Sequence, residues 1–189
     1  MIIGLIGEKL SGKDTVAKYL ERKYEAEHIR HSQLLDEMLE ILDLPKSRRN
    51  EIDLGMGLRR TFGDGILGKA LAKRVGASTA PMIVINGIRF QDEVDNARKL
   101  GAKIIYITAP EEVRYERFLA RKEKTDDASG GLKEFQDQEQ EPTEIGIPGL
   151  GGQADFRIDN TGTSEKLNFE IDLLVTNLKA SLDHPTENS

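Results

Sequence analysis

The stretch that most constrains this chain is Gly7 to Thr15, reading G-E-K-L-S-G-K-D-T, directly after the apolar run Ile2, Ile3, Gly4, Leu5, Ile6. A short apolar strand that enters a glycine-flanked turn and leaves into a helix is the arrangement that cradles the phosphates of a nucleotide. Gly7 and Gly12 let the backbone turn tightly and bring amide N–H groups inward. Lys13 adds a mobile positive charge for the outer phosphates, and the following helix offers its unpaired N-terminal donors. The expected nucleotide contacts of the loop are Gly7, Ser11, Gly12, Lys13, Asp14 and Thr15. The spacing is G-x-x-x-x-G-K, but Asp14 stands where Ser or Thr normally brings a hydroxyl to Mg2+. Asp14 and Thr15 are therefore candidate metal ligands, since carboxylates suit a hard cation. Asp14 acting only as a helix cap is the competing reading.

A chain of 189 residues fills one core and leaves room for a small mobile subdomain. With 27 Lys plus Arg against 33 Asp plus Glu, the formal charge of −6 disfavours a general nucleic-acid binder. The absence of cysteine excludes disulfides, thiolate metal sites and cysteine nucleophiles, and fits a cytoplasmic location. No apolar run approaches the roughly 20 residues that span a bilayer, so no membrane partner is expected. Residues 183–189 are polar, contain Pro185 and read as a frayed tail.

Along the chain, strands alternate with helices. A helix is expected over about Lys13 to Tyr24, a weak strand at Ala26 to Ile29, and a helix capped by Ser32 and stopped by Pro45. A long apolar face from Ser47 or Asn50 to Leu71 contains Gly55, Gly57, Gly63, Gly65 and Gly68, which predicts a bend. Met82 to Ile85 is a continuous apolar run of the kind buried on both faces, and Lys103 to Thr108 reads as another strong strand. Helices are expected at about Asp92 to Leu100 and from Pro110 to about Lys122, a last strand near Ala154 to Asp159, and a final helix capped by Ser164. This alternation argues for a mostly parallel sheet covered by helices.

Between Glu123 and Glu144 the composition changes, with eight acidic and two basic residues, so this window alone carries the net charge of the chain. Leu132, Phe135 and Ile145 are its few apolar anchors. A short helix inside a mobile flap over the nucleotide site is one reading. An exposed loop without a catalytic role is the other. His28, His31 and His184 show no metal-ligand spacing.

The sequence resembles the phosphate-loop nucleotide kinases, especially the deoxynucleoside monophosphate kinases and, more distantly, the dephospho-coenzyme-A kinases. The loop is similar to the variant G-K-D-T loop of phage-type deoxynucleotide kinases. S-R-R-N followed by L-G-M-G-L-R-R-T-F-G resembles their arginine-bearing acceptor region, and I-N-G-I-R-F-Q-D-E-V the strand-end segment that places an arginine near bound phosphate. Y-E-R-F-L-A-R resembles the arginine helix entering the lid, and A-D-F-R-I-D-N-T-G-T the final strand and the turn beside adenine.

The resemblance implies an α/β phosphate-loop three-layer sandwich with a five-stranded parallel sheet in the order 2-3-1-4-5 and a small lid. It assigns residues 1–182 to the kinase domain, about 31–75 to acceptor binding and about 122–153 to the lid. ATP and Mg2+ are the implied cofactors, and a nucleoside or deoxynucleoside monophosphate the acceptor. Lys13, Arg89, Arg117 and Arg121 become the catalytic candidates. Asn160 and Gly162 join the loop as nucleotide contacts, and Asp36, Arg48, Arg59, Arg60 and Arg89 become acceptor contacts, with Arg49 a close substitute. Arg117 and Arg121, four residues apart, share one helix face, as does Arg114. The family's acid at the end of the third strand is Asn86 here, so Asp36 or another acid is expected to compensate. Dephospho-coenzyme-A kinase and a nucleotide-binding regulator without efficient transfer are the alternatives. A monomer and a homodimer both fit.

Overall fold

The computed structural model describes residues 1–123 and 131–183. Five parallel strands form one sheet in the order β2-β3-β1-β4-β5, as expected. They are β1 (Ile2–Ile6), β2 (Ala26–Arg30), β3 (Met82–Asn86), β4 (Lys103–Thr108) and β5 (Phe156–Asp159). The three apolar runs, β1, β3 and β4, occupy the middle, where both faces are covered. Their side chains alternate between two cores. Ile3, Leu5, Ile105 and Ile107 pack with α1 (Lys13–Tyr24) and α9 (Ser164–Asp183), whereas Ile6, Ile104 and Tyr106 face the other side. There they meet α4 (Ile66–Ala77), α5 (Gln91–Lys99) and α8 (Ile147–Gly151).

Two further helices, α2 (His31–Ile41) and α3 (Arg48–Phe62), build an arch with α4 beyond the C-terminal ends of β2 and β3. The expected bend falls between α3 and α4, where Gly63 takes φ 90° and its amide closes on Arg59 O. The caps differ from expectation. α2 starts at His31 rather than after Ser32, and ends at Ile41, ahead of Pro45. Gly12, not Asp14, is the N-cap of α1, because a left-handed residue is needed there to leave the loop. At α9 the cap contact is made by Thr163, whose Oγ1 accepts from Lys166 N, and Ser164 is already helical.

The acidic window folds against the body through α7 (Leu132–Glu139) and the turn into α8. Phe135 is fully buried against Tyr115 and Phe118 of α6 (Glu111–Glu123), with edge-on ring separations of 5.5 and 5.7 Å. Arg114 of α6 pairs with Glu139 of α7. Leu132 and Ile145, expected anchors, are exposed, and Ile147 and Leu150 are buried in their place. Gly151 lies flat on the Tyr106 ring, where a Cβ would come within 2.6 Å of Cε1. The expected lid residues 124–130, the Arg121 side chain and tail residues 184–189 with His184 lie outside the described residues. No helix among those described is long and apolar enough to cross a membrane.

Candidate active site

The C-terminal ends of the strands open onto one cavity of about 780 Å³, lined from the loop, the arch and the acidic window. At its floor β1 turns so sharply that a Cβ on Gly7 would sit 2.1 Å from Ile107 O. Leu10 and Gly12 follow with φ 65° and 109°. The loop's carbonyls are held by donors from distant elements. Asn160 Nδ2, just past β5, donates to Ser11 O at 2.8 Å. Arg117 on α6 donates to Leu10 O at 3.0 Å and to Asn160 O at 2.8 Å. A Cβ on Gly12 would meet Asn160 Nδ2 at 2.2 Å, so glycine and asparagine fit each other there. The loop thus presents the first-turn amides of α1 to the cavity in a fixed shape.

Lys13 spans the loop, its Nζ donating to Gly7 O at 2.6 Å and Glu8 O at 2.8 Å. Burial, then the Arg89 charge, lowers its pKa to about 8, while Glu144, Asp14 and Glu8 work in the opposite direction. An ammonium so placed is completed electrostatically by a polyanion.

Asp14 and Asn86 meet at the head of the cavity. Asn86 Nδ2 at the end of β3 donates to Asp14 Oδ1 at 2.8 Å and lies 3.1 Å from His28 Nε2. Burial, then the Arg30 charge, lowers the His28 pKa. Asn86 Oδ1 is buried without a hydrogen-bond partner. Among the described residues no group of three His, Cys, Asp or Glu could hold a metal by itself. The donor set fits magnesium carried in on a nucleotide, which keeps waters and phosphate oxygens and needs only one or two protein ligands. Asp14 and Thr15 both line the cavity.

Elsewhere in the cavity Arg48 and Arg89 converge on one carboxylate. Arg48 Nη2 donates to Glu144 Oε1 at 2.9 Å, and Arg89 Nη1 donates to the same oxygen. Arg48 also binds Glu141 Oε2 at 2.9 Å and Thr143 Oγ1 at 2.8 Å, and Arg89 binds Thr143 O at 3.1 Å. Glu144 is buried at the cavity wall, with Oε2 lacking a partner.

The remaining acceptor candidates are placed differently. Arg59 lines the cavity, but its guanidinium is engaged by Asp92, Glu93 and Asp64 O and stacks 4.1 Å from the Phe90 ring centroid. Arg60 is exposed and does not line the cavity, and Arg49 pairs with Asp53 at the surface. Asp36 lines a separate hollow beside β2. It stands behind Glu51, whose carboxyl is pushed up by burial and then by the Asp36 charge. Gly162 and Asn160 line the main cavity, as does Arg117.

Three carboxylates that organise this site were not singled out from sequence. Glu93 binds Arg59 and the Arg89 backbone N–H at 2.8 Å, and Asp92 and Glu144 complete the arginine network. The only local signal was R-F-Q-D-E itself, which sets Glu93 one turn beyond Arg89.

A family model described as AAA domain matches residues 3–142. A UPF0200 protein of Saccharolobus islandicus is 28% identical over 168 residues, covering 87% of each chain. A UPF0200 protein of Thermococcus kodakarensis is 25% identical over 192 residues, covering 96% of this chain and all of that one. Among solved structures, shikimate kinase from Aquifex aeolicus superposes with a TM-score of 0.54 at 20% identity, covering 95% of this chain and 99% of its own. A gluconokinase from Sinorhizobium meliloti 1021 superposes with a TM-score of 0.57 at 15% identity, covering 98% and 97%. At these identities the likeness is one of fold.

Proposed function

Because this chain belongs to the AAA-domain family and its loop, at the floor of the cavity, faces converging arginines, we propose that it transfers the γ-phosphate of ATP to a small anionic acceptor. A nucleoside or deoxynucleoside monophosphate is the acceptor class we assign. The observation that carries this reading is the placing of Lys13, Arg48 and Arg89 on one cavity, with the two arginines meeting at a single anionic group. Phosphoryl transfer asks chiefly that two anions be held in line while cations stabilise the oxygens between them. In this reading the loop amides and Lys13 hold the donor phosphates, and Arg48 and Arg89 hold the acceptor. Asp14 and Thr15 would hold Mg2+ brought in with the nucleotide, and the ion would supply charge neutralisation at the donor phosphates. Arg117 acts behind the loop by fixing its carbonyls. Arg59 acts through the position of Glu93, which orients Arg89.

A second reading, a hydroxy acid as acceptor, is favoured by the chemical nature of the group between the two arginines, a carboxylate. It is also the acceptor type named by the shikimate kinase and gluconokinase structures that share the fold. A coupled ADP-release assay with Mg·ATP decides between them. The panel comprises nucleoside and deoxynucleoside monophosphates, dephospho-coenzyme A and polyhydroxy acids. Acceptor-dependent turnover with a monophosphate is the expected result. Turnover with a hydroxy acid alone selects the second reading, and ATP hydrolysis indifferent to every acceptor overturns both.

A further inference from the structure

The Glu141–Glu144 turn supplies every acceptor atom that Arg48 and Arg89 reach from the acidic window. They are Glu141 Oε2, Thr143 Oγ1, Thr143 O and Glu144 Oε1. The two arginines arrive from unrelated elements, the start of α3 and the loop after β3, separated in sequence from Glu144 by 96 and 55 residues. Guanidinium forks are matched best by an anion with several oxygens in one plane or around one centre. Glu144 offers both of them the same oxygen and leaves its other oxygen buried and unpaired, which is unfavourable for a desolvated acceptor. A phosphate monoester has three terminal oxygens and two negative charges for the same donors. The turn also closes on itself, through Glu144 N to Glu141 O at 2.8 Å, Ile145 N to Glu141 O at 3.1 Å and Ile147 N to Glu144 O at 3.0 Å.

We propose that Glu144 is an internal mimic of the acceptor's phosphate, so that the acceptor binds by displacing the Glu141–Glu144 turn from Arg48 and Arg89. This deepens the kinase reading and rests on it for the name of the acceptor, but the anion exchange itself needs no catalysis. A site occupied by its own carboxylate binds the external anion with an affinity reduced by the fraction of time the arginines are free. Removing the charge of Glu144 while keeping its shape removes that competitor.

The test is titration of inorganic phosphate into the full chain, followed calorimetrically, for the wild type, Glu144→Gln and the Glu144→Gln/Arg48→Gln double variant. Glu144→Gln should bind phosphate about tenfold tighter or better, as expected when the open state is a minor one. The double variant should lose that gain, which separates this subsite from phosphate held at the nucleotide loop. Unchanged or weaker binding in Glu144→Gln, a gain that survives loss of Arg48, or no phosphate binding in either protein overturns the proposal. Acetate binding to Glu144→Gln as tightly as phosphate overturns the phosphate class and assigns a carboxylate.

Amide hydrogen exchange of the wild type keeps the test independent of how the variants fold. Phosphate should speed exchange at Glu144, Ile145 and Ile147, and unchanged or slower exchange there overturns displacement. If these binding results hold and no acceptor supports turnover, the kinase reading fails alone. If turnover occurs without them, the mimic fails alone.

Discussion

Asn86 at the tip of β3 donates its side-chain amide to Asp14 Oδ1 at 2.8 Å, joining the end of the third strand to the first turn of the loop helix. The negative charge at the head of the cavity therefore sits on the loop, and the strand supplies the hydrogen bond that aims it. A ligand oriented in this way depends on its orienting partner almost as much as on itself. Asn86→Ala is expected to weaken divalent-cation affinity in the nucleotide complex by about 10- to 100-fold. Mn2+ titration by electron paramagnetic resonance checks it, and unchanged Mn2+ affinity would show that Asp14 takes no part in holding the ion.

Lys13 gives two linked expectations. Its folded pKa, about 8, lies below the ordinary 10.5 because burial penalises the ammonium. Between these values the unfolded chain binds more protons, so this group makes stability rise with pH from about 8 towards 10.5, with its full penalty present below. Lys13→Met should flatten that rise in urea unfolding curves, and an identical rise in wild type and variant would refute it. A bound triphosphate favours the ammonium, so ATP binding near pH 8 should take up protons, measurable as a buffer-dependent heat.

The same residue separates function from folding. Lys13→Ala is expected to lower kcat by about 10²- to 10³-fold, the range for losing a charge-stabilising donor, while the melting temperature holds or rises. A variant with near wild-type kcat would remove Lys13 from the chemistry.

Asn160 reaches Ser11 O across 149 residues of sequence and fills the space that a Cβ on Gly12 would need. Asn160→Ala leaves a buried carbonyl with one donor fewer, costing about 1–3 kcal/mol, and the loop loses a fixed point of its curve. ATP affinity measured by calorimetry should fall by about tenfold or more. Equal affinity in the two proteins would show the loop to be shaped by Arg117 alone.

Arg59 is nearly inaccessible and faces Asp92 and Glu93 together. Truncating it leaves two carboxylates without their cation, so Arg59→Ala should cost about 3–5 kcal/mol in denaturant unfolding. Arg48→Ala, at a half-exposed position, should cost far less stability and more acceptor affinity. Equal stability losses would contradict the division drawn between structural and acceptor arginines.

The fold was legible because its signals are short-ranged. Ile2 to Ile6, Met82 to Ile85 and Ile104 to Ile107 are short apolar runs of the kind a strand covered on both faces uses, and they became the body of β1, β3 and β4. The bend between α3 and α4 was written in Gly63 and Gly65. The caps were less legible, because Ser32, Asp14 and Ser164 are all competent caps and a neighbour one or two residues away took each place. In the acidic window Phe135 read correctly as an anchor, while Ile145 and Ile147 are chemically equivalent and only packing chose between them.

By itself the sequence determined the strand-to-loop turn, the glycines that turn demands, and the lysine and helix that follow, since these depend on backbone sterics and neighbours within a few residues. The tertiary structure decided what Arg48, Arg59, Arg89 and Arg117 each meet. Arg59 became a buried structural cation, Arg117 a clamp on the loop and Arg48 with Arg89 an anion-binding pair. The reason is electrostatic. A guanidinium's role is set by which partner lies within reach in space. The Asp92 carboxylate that Arg59 meets lies 33 residues away in the chain, the Glu144 carboxylate that Arg48 meets 96, and the Leu10 carbonyl that Arg117 holds 107.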